Sequence, residues 1–149
     1  MRIVNTIGKG LLAGLVGTAA MTAAKTIEMK LFRRPARMAP TQAAEKLLSM
    51  EMSKNGKGAS HVTNPVYWGY GTIWGIARPL LRTIGLSPGA STAAHLATVW
   101  SSEQVLLPAL SVAPPSVVLG RKEIAFDAWN HLVYATAAGL AYELLGGRR

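Results

Sequence analysis

Long stretches without charged residues limit the fold of this 149-residue chain more than any other feature of its sequence. A helix needs about 20 mostly apolar residues to cross the hydrocarbon core of a bilayer. Two uncharged intervals reach that length, and two shorter ones reach it when a flanking or inward-facing charge is included. The four intervals are 10–24, 58–77, 83–102 and 104–120. The pattern is typical of a chain that crosses a membrane several times.

We therefore predict an all-α fold in which residues 1–149 form a single integral membrane domain, a four-transmembrane-helix bundle. The transmembrane helices are predicted near 6–30, 63–84, 88–110 and 123–146. A short amphipathic interfacial helix is predicted near 41–53, between helices 1 and 2, because the apolar residues there recur on one face.

Two other interpretations of the apolar segments stay open. A water-soluble helical bundle would have to bury them, yet charged residues make up only 15% of the chain, against about a quarter in an ordinary soluble domain. The first segment also has the pattern of a secretory signal peptide, since Arg2 and Lys9 precede its apolar run. The three further apolar segments favour a retained first helix.

Small residues recur at helical spacing in all four predicted spans. Lipid is as apolar as leucine, so membrane helices associate where small side chains let their backbones approach closely. We expect these residues to pack helices within one bundle, with a contact face between two copies of the chain as the alternative. The predicted packing residues are Gly10, Gly14, Thr18, Gly71, Gly75, Ala97, Ser101 and Gly139.

Basic residues concentrate in the connection between the first two predicted helices. The chain has 16 Lys and Arg against 7 Asp and Glu, and the positive-inside rule favours a cytoplasmic location for the basic loop 31–62. The loop is predicted to lie on the anionic headgroups of membrane lipids. An ordinary solvated connector is an equal alternative. The basic residues predicted at the lipid surface are Arg33, Arg34, Arg37 and Lys46.

Ionisable residues at membrane depth are the main functional signal, because charge inside a bilayer is costly and usually faces protein or water. Glu103 in the third helix and His131 in the fourth each lie roughly 6 Å from the predicted midplane, on the same side. Asp127 lies one turn from His131, and Lys25 and Glu28 end the first helix on that side. These five residues form the predicted intramembrane polar cluster.

The polar cluster has two interpretations. Its members can satisfy one another as ion pairs that fix the register of the helices. Alternatively, they form a site that titrates protons or binds an ion or a lipid headgroup. In that second case a Glu103→Gln change should alter a pH-dependent property of the protein.

No cofactor, metal site or catalytic motif is predicted. The chain has no cysteine, no HExxH and no glycine-rich phosphate loop. His95, a secondary candidate, lies about 12 Å from His131 along the predicted bundle axis, which is too far for both to hold one haem iron. A haem bound through His95 or His131 alone is not favoured. Basic and aromatic residues occupy different segments, which argues against nucleic acid as a partner.

Four segments resemble a known family. They read GLLAGLVGTAAMT (10–22), PVYWGYGTIWG (65–75), HLATVWSSEQVLLPAL (95–110) and HLVYATAAGLAYELL (131–145). Together they are similar to the small, largely uncharacterised bacterial inner-membrane proteins of the YagU family. The resemblance implies a helical, multi-pass protein of the bacterial cytoplasmic membrane without established catalysis, from a family loosely associated with acid tolerance. The residues of this chain that match the family's pattern are Glu103, Pro108 and His131.

We expect a non-enzymatic membrane protein, either a homo-oligomer or an accessory subunit of a larger membrane complex. The second hypothesis is a channel or transporter-like protein that conducts protons or binds an ion through Glu103 and His131. A link to acid tolerance would fit that hypothesis. A third hypothesis is a membrane enzyme that acts on lipid, with the same two residues as general acid and base.

Overall fold

A computed structural model describes residues 2–33, 59–109 and 116–146 of the chain. Every secondary-structure element in these ranges is a helix, which confirms the all-α class. The predicted interfacial helix 41–53 lies outside the described residues, as do Arg34, Arg37 and Lys46. Arg33 follows the first helix and is exposed.

The described residues form five α-helices and one short 3₁₀ helix. They are α1 (Arg2–Phe32), α2 (Ala59–Trp74), α3 (Ala77–Thr83), α4 (Pro88–Ala109), the 3₁₀ helix Ser116–Val118 and α5 (Arg121–Leu144). α1 packs along α5 and also contacts α2 and α3, while α5 contacts α4. α1 and α5 therefore form the centre of the bundle. α5 lies between Gly120 and Gly146, whose φ angles of 106° and 78° favour glycine.

The predicted helix 63–84 is divided into α2 and α3 by a turn at Gly75 and Ile76. Pro79 has no backbone N–H, so it cannot bond to the carbonyl oxygen of Gly75 as a continuous helix would require. That oxygen instead accepts a hydrogen bond from the amide of Arg78 at 3.2 Å. The amides of Gly75 and Ile76 likewise bond three residues back. A prediction from apolar length alone misses this break, because it gives no weight to the glycine and the proline.

Glycines bring the backbones of α1 and α2 into direct contact. A Cβ atom added at Gly14 of α1 would stand 2.9 Å from the carbonyl oxygen of Gly71 in α2. A Cβ at Gly75 would overlap the carbonyl oxygen of Gly10, and a Cβ at Gly71 would overlap the hydroxyl of Thr18. Larger side chains at these glycines would force the helices apart. These five predicted packing residues therefore meet within a single copy of the chain.

The other three predicted packing residues behave differently from one another. Gly139 of α5 lies inside the bundle, where an added Cβ would stand 2.9 Å from the hydroxyl oxygen of Thr92 in α4. Ala97 and Ser101 of α4 are exposed. The expectation that these two pack helices within the bundle is wrong, because α4 is rotated so that the face carrying Glu103 points inward.

Polar side chains lie inside the bundle, and many large apolar side chains lie on its surface. The buried polar residues are Thr18, Arg78, Ser91, His95, Glu103, Asn130 and His131. The exposed apolar residues include Leu12, Leu15, Ile73, Val105, Leu132 and Leu140. Water-soluble domains show the opposite preference, because large apolar residues gain free energy by leaving water. Within the described ranges, one helical segment, Ile3–Phe32, is long and apolar enough to cross a membrane.

We expect Gly14→Ala to lower the stability of the bundle by about 1–3 kcal/mol, because the added methyl group meets backbone atoms that cannot move aside cheaply. Gly8→Ala is the matched control, since Gly8 lies on the same helix and an added Cβ there has nothing within 4 Å. The control should be neutral or slightly stabilising. Thermal unfolding in a mild detergent measures both variants. Equal unfolding temperatures would contradict the close contact between α1 and α2.

Candidate functional site

Glu103 and His131 meet between α4 and α5. The Nε2 atom of His131 lies 2.5 Å from the Oε2 atom of Glu103. The His131 side chain is 3% exposed and the Glu103 side chain 10% exposed, so water reaches this contact only slightly. The antiparallel course of the two helices brings the residues to the same level, as the sequence leads one to expect.

The surroundings of the His131 ring fix where its protons lie. Its Nδ1 atom is 2.8 Å from the backbone oxygen of Asp127 and 3.5 Å from the Asp127 Oδ1 atom. A carbonyl oxygen only accepts hydrogen bonds, so Nδ1 carries a proton and donates it. Nε2 faces a carboxylate oxygen, and two acceptors cannot make so short a contact without a proton between them. The pair therefore holds one proton that the histidine and Glu103 share.

Asp127 is held as a hydrogen-bond acceptor by residues of α4 and the 3₁₀ helix. Its Oδ2 atom accepts hydrogen bonds from Trp100 Nε1 at 2.8 Å, Gln104 Nε2 at 3.0 Å and Ser116 Oγ at 2.7 Å. The backbone amide of Ser116 in turn donates to Gln104 Oε1 at 2.8 Å. Three donors on one oxygen hold the Asp127 carboxylate in a fixed orientation. This network anchors the 3₁₀ helix to α4 and α5 and aims the second oxygen of Asp127 at His131.

Three partners of Asp127 were not predicted from the sequence: Trp100, Gln104 and Ser116. Trp100 and Gln104 are four residues apart on α4, so they share a face of the helix. That spacing was a usable signal, because both side chains donate hydrogen bonds. Ser116 gave no comparable signal, since the short 3₁₀ helix that contains it has too few residues for a periodic pattern.

Lys25 and Glu28 of α1 reach this end of the bundle but do not join the His131 contact. The Nζ atom of Lys25 lies 5.6 Å from the ring centre of Tyr67, in a cation–π arrangement. Glu28 accepts a hydrogen bond from Asn130 Nδ2 at 2.9 Å. The five predicted cluster residues thus form a core of Glu103, Asp127 and His131 with two flanking groups.

A small cavity adjoins the core of the cluster. It has a volume of about 30 Å³ and is lined by Lys25, Glu103 and His131 together with aromatic side chains. The aromatic residues are Tyr67, Tyr70, Trp74 and Tyr134. A space of this size accommodates about one or two water molecules. The cavity therefore places a small, mostly apolar space beside the shared proton.

The core also brings possible metal-binding atoms together. One ligand atom each from Glu103, Asp127 and His131 lies within 4.8 Å of the others. Two carboxylates and an imidazole suit a divalent cation. An ion here would have to displace the shared proton and separate Nε2 from Oε2, because two ligands of one zinc ion stand further apart than 2.5 Å. Occupation by a proton needs no such rearrangement.

His95 is fully buried in a different part of the bundle. Its Nε2 atom lies 3.1 Å from the backbone oxygen of Trp74, to which it donates. Its ring meets the edge of Tyr134, with ring centres 5.5 Å apart. These contacts give His95 a packing role between α2, α4 and α5. Binding of a haem through His95 or His131 stays an unfavoured alternative, because Nε2 of each ring is already engaged.

The chain was compared with known protein families, curated proteins and solved structures. No protein family, no curated protein and no solved structure matches the chain. The resemblance to the YagU family therefore stays a prediction from the sequence.

Glu103→Ala should destabilise the fold by about 3–5 kcal/mol, because it leaves a buried imidazole without its partner. Glu103→Gln should cost less, since its amide still occupies the space and hydrogen-bonds to the ring. Thr98→Ala is the control, because Thr98 is exposed on the same helix, and it should change stability by less than about 0.5 kcal/mol. Unfolding in detergent measures all three. An equal loss of stability in Glu103→Ala and Thr98→Ala would show that the contact between Glu103 and His131 does not hold the helices together.

Proposed function

We propose that this chain is a small, multi-pass membrane protein of non-enzymatic type that associates with another membrane-spanning surface. The partner is a second copy of the chain or a larger complex in the bacterial cytoplasmic membrane. The observation that carries the proposal is the inverted distribution of side chains, with ionisable groups between the helices and large apolar groups on their outer faces. Lipid is the solvent in which that arrangement is favourable.

The lengths of the helices support a bundle in lipid. At 1.5 Å per residue, α1, α4 and α5 extend for roughly 46, 33 and 36 Å, and the hydrocarbon core of a bilayer is about 30 Å thick. α2 and α3 together supply the remaining crossing, with a break at Gly75. α4 and α5 carry polar residues such as Glu103 and His131 that lower their hydropathy. Those residues face protein, so they do not oppose insertion.

The outer face of α4 supports association. Ala93, Ala97 and Ser101 lie along it and are exposed, whereas the outer faces of α1 and α5 carry leucines such as Leu12 and Leu140. Small side chains on a lipid-facing surface allow another helix to approach closely, and such approach drives helix association in membranes. The face is therefore suited to a helix from a second copy or from a partner subunit.

Ala97→Leu should weaken association at least about tenfold, corresponding to about 1.4 kcal/mol, because the larger side chain holds a second helix away. Val105→Leu is the control, since Val105 is exposed on the same helix and is already large. Energy transfer between labelled copies in lipid vesicles measures self-association, and copurification in mild detergent detects a partner subunit. A parent chain that is monomeric in vesicles and copurifies with nothing would contradict the proposal.

A second candidate function is proton or ion conduction, favoured by the shared proton of Glu103 and His131 beside a cavity lined by Lys25. A group that gains and loses a proton next to water can pass it along a path. This candidate would also fit the association of the YagU family with acid tolerance.

Proteoliposomes containing a pH-sensitive dye test conduction directly. The parent chain should dissipate an imposed pH gradient, and Glu103→Gln should slow that dissipation at least about tenfold, because an amide cannot exchange the proton. Thr98→Ala should leave the rate unchanged. A parent chain no faster than empty vesicles would exclude conduction while leaving the association proposal intact.

A further inference from the structure

A second charged cluster lies at the opposite end of the bundle from His131. Arg78 and Arg82 of α3 face a single carboxylate, Glu143 in the last turn of α5. Arg78 Nη2 lies 3.4 Å and Arg82 Nε 3.1 Å from the same oxygen, Oε1. The Arg78 side chain is 1% exposed. The predicted helix 63–84 includes both arginines without assigning them a partner, so their place against α5 is a finding of the structure.

Arg78 is held rigidly in this cluster. Its Nη1 atom donates to the hydroxyl oxygen of Thr92 at 2.8 Å, and Nη2 donates to the backbone oxygen of Pro88 at 3.1 Å. Both acceptors lie at the start of α4. Gly139 leaves room for the guanidinium group, since a Cβ there would stand 3.3 Å from Arg78 Cζ. The positive charge of Arg78 is therefore fixed in place and cannot swing into solvent.

Positive charge exceeds negative charge at this end of the described structure. Two guanidinium groups share the carboxylate of Glu143, and Lys9 of α1 contributes another cation near the end of α5, where it donates to the backbone oxygen of Gly146 at 3.2 Å. The N-terminus of α4, which Arg78 contacts, adds the positive end of a helix dipole. The Nε atom of Arg78 is buried and has no acceptor among the described residues. An N–H group left without an acceptor is costly in a poorly solvated site.

Arg82 presents the accessible part of the cluster. Its side chain is 18% exposed, and it uses Nε for Glu143 and Nη1 for the backbone oxygen of Leu86. Its partly exposed guanidinium group is the part of the cluster that a ligand from outside can reach. The apolar residues Leu80, Ile84 and Leu144 are exposed nearby on the same elements.

We propose that Arg82, supported by Arg78 and the N-terminus of α4, binds a phosphate group, from an anionic phospholipid or from free phosphate. Guanidinium groups match the geometry of phosphate oxygens, and helix N-termini favour anions. Glu143 lies roughly 18 Å from His131 along α5, about 12 Å beyond the predicted midplane on the opposite side, and a long arginine side chain reaches from that depth to the headgroups. Leu80, Ile84 and Leu144 would contact the acyl chains. The lipid source rests on the membrane location proposed above, whereas the binding of phosphate does not.

The test uses the full chain purified in a mild non-ionic detergent. Three probes are added separately: dioctanoyl phosphatidylglycerol, dioctanoyl phosphatidylcholine and inorganic phosphate. The unfolding temperature and the lipid retained in native mass spectrometry are measured. We expect the anionic lipid to be retained and to raise the unfolding temperature, with an apparent affinity at least about tenfold above that of the zwitterionic lipid. Stabilisation by inorganic phosphate equal to that by the anionic lipid would identify free phosphate as the source.

Two variants and a control locate the binding group. Arg82→Gln should weaken binding of the anionic lipid at least about tenfold, and Arg82→Lys should weaken it less, because it keeps the charge and loses the planar fork. Arg121→Gln is the control, since Arg121 is exposed at the other end of α5, and it should bind like the parent chain. If Arg82→Gln fails to fold, Arg82→Lys and the three probes on the parent chain decide the question.

Three results would overturn the inference. One is a parent chain that neither prefers the anionic lipid nor responds to phosphate. Another is an Arg82→Gln variant that binds like the parent. The third is an equal loss of anionic-lipid binding in Arg82→Gln and Arg121→Gln, which would mean that the lipid is attracted by the overall surface charge of the protein. Failure of the membrane proposal looks different: the chain would stay dissolved without detergent, and phosphate would still stabilise it through Arg82.

Discussion

The buried charged side chains of this bundle meet partners on neighbouring elements, because an unpaired charge is costly where few water molecules reach. That constraint places His131 against Glu103 and Arg78 against Glu143. Each pair joins α5 to an element that precedes it in the chain. A shift of α5 by one turn relative to α4 or α3 would separate these groups and leave charges buried without partners, which is strongly unfavourable. The two charged clusters therefore determine the register of the helices.

Close contact between α1 and α2 is the second requirement, and it depends on glycine. Gly10 and Gly14 face Gly71 and Gly75 with backbone against backbone. The approach lets Tyr134 of α5 donate a hydrogen bond to the backbone oxygen of Gly71 at 2.5 Å. α2 is thereby tied to α5 without a charged pair. Small residues inside the bundle thus bring the helices together, while the ionisable residues set their register.

The sequence predicts the long helices well. The expected spans 88–110 and 123–146 correspond to Pro88–Ala109 and Arg121–Leu144, because proline and glycine stand at or near their ends. The meeting of Glu103 and His131 also follows from the sequence, since depth along an antiparallel pair of helices depends only on residue count. The rise of 1.5 Å per residue is the same in every α-helix.

Other features depend on rotation and on local breaks, which residue count does not determine. Ala97 and Ser101 face outward because of the rotation of α4 about its axis. The sequence pattern does not show which face of this helix points into the bundle. Arg78 is buried because the chain turns at Gly75, so that α3 lies against α5. The predicted helix 63–84 runs through Arg78 without a turn, and apolar length gives no means of telling that this arginine lies inside the bundle.

The central claim is that lipid surrounds the outer apolar faces, and accessibility of single spin labels tests it most directly. The chain has no cysteine, so Leu12→Cys, Ile73→Cys and Leu132→Cys can each be labelled without a background reaction. Collisions with oxygen, which concentrates in lipid, are compared with collisions with a water-soluble nickel chelate in reconstituted vesicles. We predict high oxygen and low chelate accessibility at all three positions. High accessibility to the chelate at all three would show that water covers these faces and would contradict the account.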